Sequence, residues 1–192
     1  MIDTNAFVAQ FAGHQVPPFL LRLLEYQNVV GYGRYSQALT LSVGERSGLI
    51  HGWSADPEFL SRLLPFAMAN ASGSFYALWN NGSSAVVDQW PVVAFGDEGG
   101  EWVVAQNVSE LLSLSTFDEE PMIDYHGVAF FKDPEWYQES EFLDDYKQWL
   151  KAQLNLEAIE DPAPLVAAAQ AALQEAFNVW KQPFLKHKDG PA

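Results

Sequence analysis

The chain has 192 residues and no cysteine, and its 25 acidic residues against 10 lysines and arginines give a formal net charge of −15. The missing cysteines exclude disulfides, thiolate zinc sites and a cysteine nucleophile, and they suit a reducing compartment. The charge argues against nucleic acid as a partner, because phosphates would be repelled. It would attract a basic partner, but a role in solubility alone explains it as well. With 48% hydrophobic residues, a chain of this length can build its own core.

The N-terminal residues do not fit a signal peptide. Asp3 precedes the apolar residues, and Pro17 and Pro18 interrupt them. No run of the sequence approaches the roughly 18 apolar residues of a membrane span. We therefore expect a cytoplasmic protein that has no membrane partner.

Capping residues mark four helix starts. Asp56, Asp133 and Asp161 each precede a proline, so each aspartate can cap a helix whose first residue needs no N–H partner. Asn107, with Glu110 three residues later, is a variant of the capping box. These signals predict four helices that begin close to the capping residues.

The lengths of the helices follow from their apolar spacing. Residues 134–154 carry apolar side chains at intervals of three, four and seven, the period of one helix face. This face consists of Trp136, Leu143, Tyr146, Leu150 and Leu154. An alanine-rich helix follows from about residue 163, and we expect the tail at 181–192 to fray. Another helix is expected at about 18–27, and Pro65 should stop the one that starts after Asp56.

Strand-like runs rich in Val, Phe, Tyr and Trp lie between these helices, and polar turns separate most of them. They cover residues 63–69, 74–80, 85–89, 90–96 and 101–106. The pattern predicts an α+β fold with a central antiparallel sheet of about five to six strands, flanked by helices on one side, and with a C-terminal helical extension. We expect an α+β domain over 1–155 and a C-terminal helix and tail over 156–192. The pattern leaves open whether the last two helices pack on the sheet or form a separate hairpin.

The sequence offers little sign of catalysis. It has no G-x-S-x-G motif, and its four histidines lack the spacing of a metal pair. The best metal candidate is Asp124 with His126, but a solvated loop explains them more simply. Four tryptophans could line a ligand site, although core packing is favoured. They are Trp53, Trp79, Trp90 and Trp102. We expect a protein that is not an enzyme and that has no metal and no cofactor.

Short motifs follow one another in a set order between residues 59 and 114. They are LPFA at 64–67, GSFYAL at 73–78, PVV at 91–93, DEGG at 97–100, VA at 104–105 and VSELL at 108–112. In this order the segment resembles the core of the SUKH superfamily, which includes bacterial toxin-immunity proteins and fungal cell-wall synthesis regulators. The helix pair and Asn-Gly turn that open the family's fold are not clear in this chain.

The resemblance implies a non-enzymatic domain that binds a protein partner. In the immunity branch the partner is a toxin, often a nuclease or deaminase, and a basic nuclease would match the charge of −15. Acidic groups in turns and near a helix are the candidate contacts. They are Asp97, Glu98, Asp118, Glu119, Glu120, Asp144 and Asp145. We expect a monomer or a weak homodimer.

Two other functions stay open. One is a regulatory or scaffolding module of the same superfamily. The other, from a different class, is a small-ligand-binding protein or hydrolase that uses the tryptophan-rich sheet.

Overall fold

The computed structural model describes residues 1–185. The helices are α1 Thr4–Ala9, α2 Pro18–Val30, α3 Arg46–Gly52, α4 Pro57–Ser61, α5 Val108–Ser115, α6 Leu143–Leu154 and α7 Ala163–Lys181. The strands are β1 Thr40–Leu41, β2 Leu63–Met68, β3 Phe75–Trp79, β4 Val92–Phe95, β5 Glu101–Ala105, β6 Met122–Asp124 and β7 Gly127–Ala129.

The first five strands form one antiparallel sheet in the order β1-β2-β3-β4-β5, and β6 and β7 form a separate hairpin. Strands that are adjacent in sequence are therefore adjacent in space, as short polar turns favour. The α+β fold with a central antiparallel sheet and a C-terminal helix is confirmed.

Helices cover both faces of the sheet, so the expectation of helices on one side was wrong. One apolar core lies between the sheet and α1, α2, α5 and α6, and it includes Tyr76 and Leu78 of β3. A second core lies between the other face and α3, α4 and α7, and it includes Phe75, Ala77 and Trp79 of the same strand. Successive side chains of a strand point to opposite faces, so β3 needs apolar residues at every position. The same need explains the unbroken VVAF of β4.

Gln27 of α2 covers one edge of the sheet. Its side-chain Nε2 donates to the carbonyl oxygen of Leu41 at 2.9 Å, and its Oε1 accepts from the Leu41 N–H at 2.7 Å. The Tyr35 hydroxyl also donates to Oε1, at 2.8 Å, and Gln27 is buried. The amide thereby supplies both hydrogen bonds that a neighbouring strand would make with Leu41.

Gln174 of α7 has the same role at the opposite edge. Its Oε1 accepts from the Val103 N–H at 2.8 Å, and its Nε2 lies 3.3 Å from the Glu101 carbonyl oxygen. Unpaired edge groups are a template for pairing with another chain. Helix glutamines therefore protect both edge strands, β1 and β5, from edge-to-edge association.

Three of the predicted helix caps are confirmed. The Asp56 carboxylate accepts from the N–H groups of Glu58 and Phe59, and the Asn107 side chain accepts from the Glu110 N–H. The Glu110 carboxylate in turn accepts from the Gln106 N–H at 2.7 Å. In a standard capping box it would accept from the N–H of the capping residue itself, Asn107. The Asp161 carboxylate likewise accepts from the first N–H of α7, at 2.9 Å.

The helix predicted for residues 134–154 was wrong in its first half. Asp133 caps a single turn, its carboxylate accepting from the Glu135 N–H at 2.9 Å, and the helix begins only at Leu143. Residues 137–140 are instead bonded to a buried carboxylate on another loop. These tertiary hydrogen bonds outweigh the local helical preference, and Trp136 is left exposed.

The strand predictions were also wrong in places. Residues 85–89 form no strand but contain the 3-10 turn Val87–Gln89. Pro65 does not simply end a helix: it lies inside β2, where the register shifts between Pro65 and Ala67, and proline is tolerated at such irregularities because it cannot donate to the ladder. Helices α1 and α3 and strand β1 were not predicted.

The last helix packs on the sheet. Ala169 and Phe177 of α7 are buried against β3, β4 and β5, and Trp180 packs beside them. Part of the tail that was expected to fray also packs on this core, through Phe184 and Leu185. The rest of that tail, residues 186–192, lies outside the described residues.

Replacement of Gln27 by leucine tests the closed edge at β1. Leucine keeps most of the volume but leaves both backbone groups of Leu41 and the Tyr35 hydroxyl without their partner. We expect the free energy of unfolding, measured by urea denaturation, to fall by about 3 kcal/mol. The matched change Gln148→Leu, at an exposed site of α6, should alter it by less than about 0.5 kcal/mol. Equal effects of the two changes would contradict this account.

Candidate functional site

Asp118 is fully buried, so the expectation that it is exposed was wrong. One carboxylate oxygen accepts from the Gln37 N–H at 2.9 Å and the Ser140 hydroxyl at 2.6 Å. The other accepts from the Tyr137 hydroxyl at 2.8 Å and the Ser140 N–H at 2.9 Å. Four hydrogen bonds compensate the carboxylate for its lost hydration. Asp118 therefore joins the end of α5 to two distant segments.

One of these segments is an irregular stretch between β7 and α6, here called the aromatic loop (residues 130–141). Besides its bonds to Asp118, it is held by Gln37, whose Nε2 donates to the Gln138 carbonyl oxygen at 2.8 Å. Lys132 lies 3.9 Å from the ring centroid of Tyr137 and 4.8 Å from that of Phe117. The loop is thus fixed by polar and cation–π contacts although it has no regular secondary structure.

The aromatic loop carries an exposed tryptophan and an exposed phenylalanine. Trp136 is 79% exposed and Phe131 is 65% exposed. All the other phenylalanines and tryptophans, each of which lies within the described residues, are buried or half-buried. Met122 and Tyr125, on the preceding β6–β7 hairpin, are exposed as well. Exposed aromatic residues of this kind are typical of the centres of protein interfaces.

Asp97 and Glu98 are exposed at the turn between β4 and β5, as predicted. The Asp97 carboxylate accepts from the Ser74 hydroxyl at 2.6 Å and the Ser72 hydroxyl at 3.0 Å. The bond from Ser74 is the main reason why the pKa of Asp97 lies below its usual value. Gly99 has a φ of +98°, and a Cβ there would overlap the Tyr125 ring, so only glycine lets this turn pack against the hairpin.

Glu119 and Glu120 are half-buried. The Glu120 carboxylate accepts from the Ala71 N–H at 3.0 Å, in the same turn whose serines hold Asp97. Burial raises the pKa of Glu119, and the charge of Lys132 partly offsets this effect. The structure therefore places the 97–98 and 119–120 pairs on either side of one turn, residues 70–74.

Asp144 and Asp145 are exposed in the first turn of α6, where the positive end of the helix dipole favours them. Burial and the charge of Asp145 raise the pKa of Tyr26 to about 12. Whether any of the predicted acidic contacts binds a partner stays a prediction.

The four tryptophans named as a possible ligand site do not come together. Trp79 and Trp90 are buried in the two different cores on opposite faces of the sheet. For these two residues, this agrees with the favoured interpretation that the tryptophans belong to the core. Trp53 and Trp102 are half-buried, and both line an open cleft.

The cleft has a volume of about 900 Å³ and lies between α3, the β4–β5 turn and α7. At its inner end, Glu101 accepts from the Trp53 indole N–H at 3.0 Å and forms an ion pair with Lys181. The Trp102 indole N–H donates to the Asp124 carbonyl oxygen at 2.8 Å. Asp97, Glu98 and Tyr125 also line the cleft. Its walls are thus aromatic and acidic.

Other polar pairs have local explanations. His51 Nδ1 lies 2.9 Å from the Ser47 carbonyl oxygen and 3.2 Å from the Ser47 hydroxyl, both one turn earlier in α3. These contacts stay within one turn of the helix and bring no acidic side chain to the ring. The Asp124 carboxylate accepts from the N–H groups of His126 and Gly127, so it shapes the β6–β7 turn.

Within residues 1–185, no group of three or more histidine and acidic side chains is arranged to hold a metal ion. No helix in this part of the chain is both long and apolar enough to cross a membrane.

Comparison of the chain with protein-family models, with curated proteins and with solved structures finds no match. What the fold and the surface define is an α+β domain that presents exposed aromatic rings among acidic side chains. The resemblance to the SUKH superfamily stays a hypothesis that rests on the motifs of residues 59–114.

Sequence reasoning missed the aromatic loop. Its Asp133-Pro134 start and its apolar Trp136 fit a helix, so both were assigned to one. One signal was available: residues 119–139 contain six carboxylates and one lysine beside several aromatic residues, and a buried helix face would not combine them. Burial of Asp118, by contrast, had no local signal, because its partners lie 19 to 81 residues away.

Replacement of Asp118 by alanine tests its anchoring role. Two backbone N–H groups and two hydroxyls lose their acceptor, so we expect the free energy of unfolding to fall by about 3 kcal/mol. Hydrogen exchange of the Ser140 amide should also become faster than global unfolding explains. The control Glu119→Ala, at the half-buried neighbour, should leave that amide protected. An unchanged Ser140 amide in the Asp118 variant would contradict the assignment.

The low pKa of Asp97 predicts a pH dependence of stability. A carboxyl whose pKa is lowered by folding stabilises the protein above its unfolded pKa of about 4 and loses this effect as the pH falls through the folded pKa. The wild type should therefore be more stable than Asp97→Asn near pH 7, and the difference should vanish towards pH 2. In a Ser74→Ala background the difference near pH 7 should shrink. A difference that does not change with pH would contradict this cause.

Proposed function

We propose that this protein binds a second protein with a basic surface and neutralises it, as an immunity protein neutralises a toxin. The observation that carries the proposal is the pair of exposed rings, Phe131 and Trp136, on a loop that is held in place by a buried carboxylate. Exposed rings are costly in water, and a rigid loop that keeps them there is best explained by a partner that covers them.

The charges around the rings indicate what the partner is. Glu135 and Glu139 are exposed on the same loop, and the protein as a whole carries −15. Exposed acids beside exposed aromatic residues match the usual division of an interface into a core that sets the lifetime and a charged rim that sets the association rate. A basic partner would therefore be attracted to this surface.

Two further points agree with the proposal. The motifs that resemble the SUKH superfamily include β2, β3, β4, β5 and α5, the scaffold from which the aromatic loop is held. A cytoplasmic location, which the lack of cysteine suits, is where an immunity protein would meet a toxin that has entered the cell. A nuclease that binds phosphate backbones would offer the basic surface that the charge requires.

Expression with a toxin domain encoded next to this protein's gene tests the proposal. We expect the protein to restore growth of cells that produce the toxin, and the purified pair to form a stable complex. Binding without restored growth would favour the regulatory module of the same superfamily. Absence of binding would contradict the immunity assignment for that pair.

In such a complex, Trp136→Ala should weaken binding by about 2 kcal/mol, or roughly thirtyfold, mainly through faster dissociation. The control Val29→Ala removes another exposed apolar side chain, which lies on α2, and should have almost no effect. Surface plasmon resonance separates the two rates. Equal effects of the two changes would contradict a role for the aromatic loop.

The exposed acids of the aromatic loop should instead affect the association rate. Charge reversal at Glu135 and Glu139 should slow association, and higher salt should reduce the difference from wild type. Asp118 is unsuitable for such a test because its reversal would disrupt the fold. An association rate that responds neither to salt nor to these reversals would contradict the electrostatic part of the proposal.

A further inference from the structure

The cleft beside α7 carries unbalanced charge. Asp97, Glu98 and Glu101 line it, and among the described lining residues Lys181 is the only cation. Three carboxylates against one ammonium group leave two negative charges in a cleft of about 900 Å³. This volume is within the range of small-ligand pockets, roughly 300–1,000 Å³, and can take one long side chain with part of its backbone.

The surroundings of Lys181, which lines the cleft, show how this part of the structure holds a cation. The Lys181 ammonium group is paired with Glu101 and lies 5.1 Å from the ring centroid of Phe177. The Glu101 carboxylate is fixed by its second partner, the Trp53 indole N–H. A cation held between a carboxylate and an aromatic ring is therefore already part of the structure.

The more exposed part of the cleft has the same kinds of group, carboxylates and aromatic rings. Asp97 and Glu98 supply carboxylates, and Tyr125 and Trp102 supply rings. Lys181, the only cation among the described lining residues, is paired with Glu101 rather than with these two acids. The geometry points to a binding site for the guanidinium group of an arginine side chain, which we propose is donated by the basic partner protein. This inference rests on the proposed function for the source of the arginine.

Arginine fits this part of the cleft better than lysine does. Its planar guanidinium can stack on an aromatic ring and donate to two carboxylates at once, and it loses less hydration than an ammonium group. The lining is also held in place before any ligand arrives. Two serine hydroxyls hold Asp97, and the Trp102 indole is bonded to the Asp124 carbonyl. A prearranged site costs less to order on binding.

Titration with a blocked arginine tripeptide tests the site without the partner. The indole N–H resonances of Trp53 and Trp102 should shift and saturate, with a dissociation constant on the order of 1 mM. The citrulline tripeptide has the same shape without the charge and should bind at least tenfold more weakly. A lysine tripeptide should fall between them, because its ammonium group keeps the charge but lacks the planar, forked set of donors.

Two variants act on the cleft in different ways. Glu98→Gln removes a charge, and Gly52→Leu fills space, since a Cβ at Gly52 would meet no atom within 4 Å. Each should weaken arginine tripeptide binding at least fivefold. The controls Glu58→Gln and Ala152→Leu make the same kinds of change at exposed sites away from the cleft, and they should leave binding unchanged.

The proposal is overturned if arginine and citrulline tripeptides shift the indole signals equally, or if the two cleft variants bind arginine as the wild type does. In the complex with a partner, Glu98→Gln should also weaken binding. Weakening by Trp136→Ala but not by Glu98→Gln would overturn the arginine site and leave the proposed function standing. If the arginine tripeptide binds but the protein forms no complex with the toxin domain, the site's chemistry is supported and the proposed function is contradicted for that pair.

Discussion

The structure depends on how a five-stranded antiparallel sheet is covered on its faces and at its edges. Helices bury both faces, and helix glutamines occupy both edges, Gln27 at β1 and Gln174 at β5. A buried backbone group without a partner costs free energy comparable to a lost hydrogen bond, so the edges need these amides as much as the faces need apolar cover. The bond from Gln174 also fixes where α7 lies. The cleft follows from it, because α7 forms one of its walls.

The acidic residues have two distinct physical roles. Asp118 is buried with four hydrogen bonds and holds the aromatic loop, while Glu135, Glu139 and Asp144 remain in water. Sequence alone does not separate these roles, because both kinds of residue lie in polar segments near turns. In the proposed function this separation matters, because the buried carboxylate holds the aromatic loop in place and the exposed carboxylates would attract a basic partner.

Local chemistry in the sequence was sufficient for most of the secondary structure. The caps at Asp56 and Asn107 form as their side chains dictate, and four of the five predicted strands exist. The exposure of Asp97 and Glu98 was also predictable, since a Gly-rich acidic turn joins two strands. These features depend on neighbours within a few residues, where steric preference and side-chain capping decide the outcome.

Only the tertiary structure decided the rest. Unbroken apolar runs in β3 and β4 show that both faces are buried, but they do not reveal which helices cover each face. The segment after Asp133 has the pattern of a helix, yet its hydrogen bonds to Asp118 keep it irregular. The bonds of Gln27 and Gln174 to the edge strands likewise leave no sign in the local sequence. The physical reason is the same in each case. A polar group separated from its partner by many residues gives no periodic signal, and the free energy of leaving it buried and unpaired exceeds the weak preference of the local sequence.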